Sequence, residues 1–137
     1  MRLSTFIAAS MDHELADRLV ILKEIAGGIT PVMMNSAATL QTLLERRPIL
    51  RSRFSGGVIV YGPDGTALAE VPLDAGRIGV NYLDIDSVTA ALREGRSSIS
   101  RPLIGKKLHA AVFGMTVPVR DHRGSVIGAL SGVINLG

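Results

Sequence analysis

The first third of the chain carries one apolar stripe at helical spacing. Its members follow one another in steps of four and three residues, as on one face of an α-helix. They are Leu15, Leu19, Leu22, Ala26, Ile29, Met33, Ser36, Leu40 and Leu43. The stripe therefore predicts helices that bury this face against other parts of the molecule, and we expect Leu19, Leu22, Ala26 and Ile29 to be buried.

Two features divide the stripe into separate helices. A glycine pair weakens the helix just before Thr30, and Thr30 followed by Pro31 is a favourable N-cap with proline at the first helical position. We therefore predict a long helix over residues 4–28 and a second helix over residues 31–46. Pro48 follows as a stop.

A β-rich pattern begins after the helices. Residues 58–61 are β-branched or aromatic, the Gly-Pro-Asp-Gly sequence at 62–65 is a strong turn signal, and residues 66–71 resume the pattern. These segments predict a β-hairpin. A loop over residues 72–79 follows it.

A short helix is predicted in the second half of the chain. Asp84 or Asp86 can cap its start, it ends near Glu94, and Gly95 stands at its C-terminal side.

The longest predicted strands are near the C-terminus. Residues 97–100 predict a short strand and residues 101–107 a loop. Residues 108–119 and 125–136, rich in Val, Ile and Gly, flank a polar turn and predict two long adjacent strands. Helices before and inside an antiparallel sheet of about five strands make an α+β domain.

Length and composition fit one domain. The chain has 137 residues, of which 47% are hydrophobic, so it can bury a core without staples. We divide it into a helical region over residues 1–46 and a sheet region over residues 55–136. The absence of cysteine excludes disulfides and thiol chemistry.

Charge and hydropathy narrow the possible partners. The net charge of +3 is compatible with an anionic partner, but the chain has no Trp, two Tyr and three Phe, so base-stacking residues are scarce. We therefore predict no nucleic-acid partner. No apolar run reaches the roughly 20 residues of a membrane span, and residues 1–10 do not match a signal peptide. We expect any membrane anchors to lie outside this chain.

Four segments together resemble a known family of sensor domains. They are FSGGVIVYGPDGTALAEVP, RIGVNYLDID, SISRPLIGKK and AAVFGMTVPVRDHRGSVIGALSGVINLG. In their order and spacing they resemble the Cache domains, also called PDC domains, of bacterial receptors. The resemblance covers about residues 10–137, and it is greatest to the membrane-distal half of a double-Cache region. The final hairpin pattern is matched at Pro118, Asp121, Gly124, Gly128, Gly132 and Leu136.

The resemblance implies a PAS-like sheet beside a small pocket, located outside the cytoplasmic membrane, with signalling through the N-terminal helix. Such receptors carry histidine kinase, diguanylate cyclase or chemoreceptor outputs. Relatives that bind amino acids have an Arg and paired aromatics after the segment that corresponds to RIGVNY. This chain has residues 84–88, DIDSV, at that place. The departure disfavours a free amino acid as the ligand.

The residues themselves offer no catalytic or metal constellation. His13, His109 and His122 stand in different segments without metal-ligand spacing. No serine has a G-x-S-x-G setting, and neither the 62–65 turn nor LIGKK forms a phosphate-binding loop. We therefore predict no enzyme activity, no metal and no cofactor.

Candidate pocket residues come from three features. Tyr61 and Tyr82 either contact a ligand or fill the core. The basic loop of Arg101, Lys106 and Lys107 either binds an anion or is solvated. Alternate residues of one strand either line a cavity or pack under a helix. Those alternate residues are His109, Ala111, Phe113 and Met115. The predicted ligand-binding set is Tyr61, Tyr82, Asp86, Ser100, Arg101, Lys107, His109 and Phe113. We expect it between the sheet and residues 81–92, with a small anion such as a carboxylate as the ligand.

Two hypotheses of function follow. In the first, the chain is a small-molecule sensor in which ligand closes residues 77–94 and shifts the register of a helix that reaches the membrane. In the second, it is a ligand-free dimerisation or protein-interaction module that pairs through its first helix. A cavity packed shut by Tyr82, Phe113 and Met115 would favour the second hypothesis.

Overall fold

A long helix opens the chain and three short helices follow it. The computed structural model describes residues 3–107 and 109–137, with side chains from residue 13 onward. The helices are α1 (Leu3–Gly27), α2 (Pro31–Met34), α3 (Ala37–Glu45) and α4 (Pro48–Arg53). The long first helix is therefore confirmed. On its core face Leu22, Ala26 and the following Ile29 are buried as predicted, whereas Leu19 is only half-buried.

The single helix predicted over residues 31–46 is wrong in one respect, because it is broken between α2 and α3. The predicted cap at Thr30 is present, since its hydroxyl accepts a hydrogen bond from the Met33 N–H at 3.3 Å. Ser36 forms a second cap, accepting from the Thr39 N–H at 3.2 Å. Serine favours caps over helix interiors because its hydroxyl competes for backbone partners. The break falls at this polar member of the stripe.

Pro48 does not end the helical region as predicted but begins α4. Proline is favoured in the first helical turn, where its missing N–H would have no partner. This extra helix directs Leu50, and Phe54 just after it, into the core, where both are buried.

The sheet has six antiparallel strands, one more than predicted. They are β1 (Gly57–Tyr61), β2 (Ala67–Val71), β3 (Ser98–Ile99), β4 (Leu103–Ile104), β5 (Ala111–Arg120) and β6 (Val126–Asn135). The order is β2-β1-β6-β5-β3, with β4 also paired to β5. The added strand β4 lies in the segment predicted as a loop. The two predicted hairpins are confirmed, although β5 begins at Ala111 and Leu108 lies outside the described residues.

The short helix is α5 (Asp86–Glu94), and it ends at Gly95 as predicted. Its N-cap is Ile85, which makes no side-chain cap bond, so the expected capping by Asp84 or Asp86 is wrong. Gly95 has φ 63°, the left-handed conformation that glycine adopts without a steric penalty. A short 3₁₀ helix, Leu73–Ala75, interrupts the loop predicted over residues 72–79.

The two faces of the sheet pack against different elements. On one face Val58, Val60, Met115, Val117 and Leu130 join the buried residues of the N-terminal helices in a common core. On the other face Ile59, Val112, Ala129 and Val133 pack with Val88 and Ala91 of α5. The sheet is thus covered on both faces, and the thinner cover is α5.

The outer edge of β2 is closed by a side chain. The Gln41 amide of α3 donates to the Glu70 carbonyl at 2.6 Å and accepts from the Glu70 N–H at 3.0 Å. These are the bonds that a neighbouring strand would otherwise make. Gln41 therefore joins the helical layer to the sheet at its exposed edge.

Candidate ligand-binding site

A cavity of about 50 Å³ lies between the sheet and α5. Strands β1, β5 and β6 form its floor, and α5 with the segments before it and around β4 forms its walls. The apolar lining consists of Ile59, Ile85, Val88, Leu103, Val112 and Val133. Pockets that enclose drug-sized ligands measure roughly 300–1,000 Å³, so this cavity suits a molecule of few non-hydrogen atoms.

A row of hydroxyl groups crosses the floor. Ser87 on α5 shares a hydrogen bond with Thr116 on β5 at 3.0 Å, and Thr116 shares another with Ser131 on β6 at 2.5 Å. All three residues are buried. Ser87 and Ser131 line the cavity, and because a hydroxyl can donate and accept, these two can meet either kind of ligand group.

Two tyrosines from different walls meet in the cavity. The ring centroids of Tyr61 and Tyr82 are 5.5 Å apart with the planes tilted by 59°, within the range of favourable aromatic pairs. Burial raises the pKa of the Tyr61 phenol far above its ordinary value, and the neighbouring Ser131 hydroxyl only partly opposes the rise. Tyr61 is therefore a neutral phenol at physiological pH.

The Tyr82 hydroxyl is a buried group without a partner. Tyr82 is 7% exposed, and its hydroxyl oxygen is buried with no hydrogen bond to any residue that the structure describes. Burial also raises the pKa of Tyr82, so the group keeps its proton and remains a donor. An unpaired buried hydroxyl costs about 1–3 kcal/mol. A ligand oxygen placed in the cavity would remove that cost.

Arg77 supplies a fixed positive charge at the wall. Its Nε donates to Glu70 at 2.7 Å, and its two terminal nitrogens donate to the Gly56 and Val71 carbonyls at 2.6 and 3.2 Å. Its backbone N–H also donates to Glu70, at 2.9 Å. Both side chains are almost wholly buried, so this cation is held in one place by four contacts.

The mouth of the cavity is bordered by two lysines. Lys106 and Lys107, just after β4, both line the cavity. The Lys106 ammonium is 2.7 Å from an Asp84 carboxylate oxygen and 5.9 Å from the centre of the Tyr82 ring. The segment after β4 is thereby tied to the segment before α5.

Four of the eight predicted site residues line this cavity: Tyr61, Tyr82, Ser100 and Lys107. The Ser100 hydroxyl accepts from the Gly114 N–H at 2.9 Å and donates to the Arg101 carbonyl at 3.0 Å. The cavity also lies where the sequence predicted it, between the sheet and residues 81–92.

The other four lie elsewhere. Asp86 and Arg101 are exposed and face each other at 4.0 Å outside the cavity. His109 is exposed, with φ 54°. Phe113 packs on the opposite face of the sheet, in the core that also contains Met115. For Phe113 and Met115 the alternative of packing under a helix is the one that the structure supports, whereas His109 does neither.

Three polar lining residues, Arg77, Ser87 and Ser131, were not assigned to the site from the sequence. One signal pointed to Arg77, because Glu70 is an acidic residue within an otherwise apolar strand, and such a residue needs a buried partner. Ser131 shares the alternation of β6 with Val133, but a serine in a strand gives no sign of which face the cavity uses.

Neither a metal-binding cluster nor a membrane-spanning helix occurs among the described residues. Within residues 3–107 and 109–137, no group of three or more His, Asp or Glu side chains is placed so that it could hold a metal ion. In the same part of the chain, no helix combines the length and the apolar character that crossing a membrane requires.

No protein-family model matches the chain, and no curated protein is significantly similar to it. Solved structures, in contrast, match with high probability. The ligand-binding domain of the Pseudomonas aeruginosa amino acid chemoreceptor PctB, in complex with L-Arg, has a TM-score of 0.81 at 23% identity, covering 96% of this chain and 50% of that one.

Two further structures extend the comparison. The ligand-binding domain of the P. aeruginosa chemoreceptor PctC, in complex with GABA, has a TM-score of 0.75 at 22% identity, covering 90% of this chain and 58% of that one. The sensor domain of Escherichia coli DcuS has a TM-score of 0.68 at 17% identity, covering 91% of this chain and 90% of that one. The chain thus spans little more than half the length of the chemoreceptor domains and most of the DcuS domain.

These likenesses extend over at least nine-tenths of the chain. They agree with the order of segments on which the sequence resemblance was based. The chain therefore has the Cache-type, PAS-like fold of the ligand-binding sensor domains of bacterial receptors.

Proposed function

We propose that this chain is the extracytoplasmic sensing module of a bacterial transmembrane signalling protein and that its ligand is a small carboxylate. The observation that carries the ligand class is the charge of the cavity. Among the described residues, the charged side chains that line it are all cations: Arg77, which is already bonded to Glu70, Lys106, which is paired with Asp84, and Lys107. Charge-assisted hydrogen bonds from such groups are stronger than neutral ones.

Each part of a small carboxylate has a counterpart in the cavity. The apolar lining accommodates a short hydrocarbon portion, the Tyr82 hydroxyl is a donor without a partner, and the lysines lie at the mouth. An α-amino group has no acidic partner among the described lining residues, and the Glu70 carboxylate behind Arg77 is already bonded to that arginine. We therefore propose a carboxylate without an α-amino group, although the PctB and PctC structures hold amino acids.

The ligand-free module is the weaker hypothesis. Phe113 and Met115, which would have helped to close the cavity, pack on the other face of the sheet. Pairing of two copies through α1 remains part of the proposal, since a sensor can also be a dimer, and Val20 on that helix is 53% exposed. A kinase, cyclase or chemoreceptor output, and membrane anchors, would lie outside this chain.

Signalling would begin at α5. The Ser87–Thr116 hydrogen bond and the Lys106–Asp84 ion pair connect the segment around α5 to the strands. A ligand that binds the closed arrangement better than the open one shifts the population toward closure. The other face of β5 and β6 packs on α1, so closure has a short route to the helix that we propose to lead toward the membrane.

Isothermal titration with propionate, propylamine and L-alanine tests the ligand class. We expect propionate to bind, propylamine not to bind, and L-alanine to bind more weakly than propionate. Tyr82→Phe should weaken propionate about tenfold or more, because a hydrogen bond to a charged group contributes about 1.5–3 kcal/mol. Binding of L-alanine with no binding of propionate would show that the proposed ligand class is wrong.

A variant whose cavity is filled by a side chain tests whether the ligand binds in this cavity. At Gly114 an added Cβ would lie 3.8 Å from the Ser100 hydroxyl and 3.9 Å from that of Ser87, both ordinary contacts. Gly114→Val should therefore leave the domain folded while its methyl groups occupy the cavity. Ala111→Val adds a side chain of the same type to the same strand, away from the cavity, and should leave propionate affinity unchanged. Equal affinities in the two variants would mean that the ligand binds elsewhere.

A further inference from the structure

The ion pair at the cavity mouth joins two segments that are distant in sequence. Asp84 lies just before α5, and Lys106 lies just after β4, where its side chain also lines the cavity. The Lys106 side chain is mostly covered, whereas that of Asp84 is mostly exposed. The lysine thus faces the cavity, and the aspartate meets it from the solvent side.

The segment that carries Lys106 has a defined conformation of its own. The Gly105 N–H donates to the Ala110 carbonyl at 2.9 Å, and the His109 N–H donates to the Gly105 carbonyl at 3.2 Å. His109 has φ 54°, which is uncommon for a residue other than glycine. These bonds hold Gly105, the neighbour of Lys106, close to His109 and Ala110.

An anion inside the cavity could form a second ion pair with Lys106, besides the one with Asp84. The Lys106 ammonium is 5.9 Å from the Tyr82 ring centre, and Tyr82 carries the buried hydroxyl without a partner. A carboxylate between these two groups would receive a charged and a neutral hydrogen bond together. The Asp84 carboxylate already occupies Lys106 at 2.7 Å, so a second carboxylate would have to compete with it.

We infer that Asp84 is a specificity-determining residue, which holds Lys106 at the mouth of the cavity and releases it to a carboxylate ligand. The inference rests on the proposed function and adds a regulation to the same site. Anions gain a partner by displacing Asp84, whereas neutral molecules leave the pair intact. The pair therefore lowers the apparent affinity of every carboxylate by the free energy needed to break it.

Substitution of Asp84 tests the inference by the direction in which propionate affinity changes. In Asp84→Asn the competitor is gone, and we expect propionate affinity to rise about two- to fivefold, the range that a partly exposed ion pair permits. Asp86→Asn is the matched control, since Asp86 is an exposed aspartate two residues away that does not line the cavity. It should change the affinity by much less. If Asp84→Asn weakens binding, Asp84 contacts the ligand itself, and the inference is overturned.

A double-variant cycle separates displacement from a general loss of negative charge. Lys106→Met should weaken propionate, and adding Asp84→Asn to it should then give no gain. A gain of the same size in both backgrounds would show that Asp84 acts only through its field, which overturns the proposed competition.

Hydrogen exchange provides a measurement that needs no ligand. Loss of the ion pair should speed exchange of the Gly105 and His109 amides in Asp84→Asn but not in Asp86→Asn, and unchanged exchange would overturn the inference whether or not propionate binds. If neither the original chain nor Asp84→Asn binds propionate, the proposed ligand class and the competition both fail. If the original chain binds it and Asp84→Asn binds no tighter, the competition alone fails.

Discussion

At the scale of single residues, the Glu70–Arg77 pair is the most consequential interaction near the cavity. Both side chains are almost wholly buried. Each buried charge is tolerated only in the presence of the other, because the free-energy cost of removing it from water is offset by its partner and their hydrogen bonds. Arg77 in addition connects the end of β2 to Gly56 through carbonyl contacts.

Removing one partner of this pair should be strongly destabilising. Arg77→Met leaves the Glu70 carboxylate buried without a cation, and we expect a loss of about 3–5 kcal/mol in the free energy of unfolding. Urea denaturation measures it. Arg96→Met is the control, since Arg96 forms an exposed pair with Glu94, and its loss should stay below about 1 kcal/mol. Similar losses in both variants would contradict the structural role of Arg77.

Half of the residues that the sequence predicted for the site line the cavity, and the reasons differ between these residues and Arg77. Tyr61, Tyr82, Ser100 and Lys107 lie in segments that the order of strands brings to one place. Arg77 is part of the site because a glycine-flanked loop folds back under β2. Such a contact depends on tertiary packing, which local sequence does not specify.

At the scale of elements, α1 is stabilised by its packing against the sheet. Its partners include β5 and β6, and Leu22 lies at the centre of that contact with no exposed surface. Isolated helices are only marginally stable in water, so the buried stripe keeps the helix in place.

Truncating Leu22, at the centre of the stripe, should lower the free energy of unfolding. Leu22→Ala removes a fully buried side chain, and we expect a loss of about 2–5 kcal/mol in unfolding free energy. Val20→Ala on the same helix should cost less than about 0.5 kcal/mol, because Val20 is largely exposed. Thermal or chemical denaturation of both variants is the measurement. A loss at position 22 no larger than at position 20 would show that α1 is not docked as described.

The sequence pattern predicted which segments are helices and which are strands. It did not predict which face of a strand lines the cavity or where the second helix is broken. The hairpins, α1 and α5 were predicted because periodicity and turn residues agree locally. The break at Ser36 was missed because a serine within an apolar stripe suits either a helix interior or a cap. The two-residue strand β4 is too short to show any periodicity.

The same limit applies to β5. A period of two divides its residues into two sets but does not say which set faces the cavity. Both faces of this strand are covered, so Phe113 and Val112 are equally compatible with either side. Only the placement of α1 and α5 decides between them.

At the scale of the whole molecule, the buried tyrosine links folding to pH. In the unfolded chain the Tyr61 phenol loses its proton near its ordinary pKa of about 10, whereas burial raises the pKa in the folded state. Above the unfolded-state pKa of about 10, the unfolded chain binds fewer protons than the folded one, so the free energy of unfolding falls as pH rises. Below that pKa the stability that the Tyr61 phenol contributes is fully present.

Tyr61→Phe should remove this dependence. We expect the original chain to lose about 1 kcal/mol more stability than Tyr61→Phe between pH 9 and pH 11, from the linkage of one proton. Denaturant unfolding across that range measures the difference, and Tyr82, present in both chains, cancels. A constant difference between the two chains at every pH would mean that Tyr61 ionises in the folded state as it does in the unfolded one.

The alternation along β5 has an evolutionary consequence. Val112, Gly114 and Thr116 lie on the side of the cavity, while Phe113, Met115 and Val117 lie on the side of the helices. Mutations at one set alter what is recognised, and mutations at the other alter whether the domain folds. A lineage that must respond to a new chemical in its habitat can therefore vary Gly114 most freely, because Val112 and Thr116 are also buried in the packing under α5.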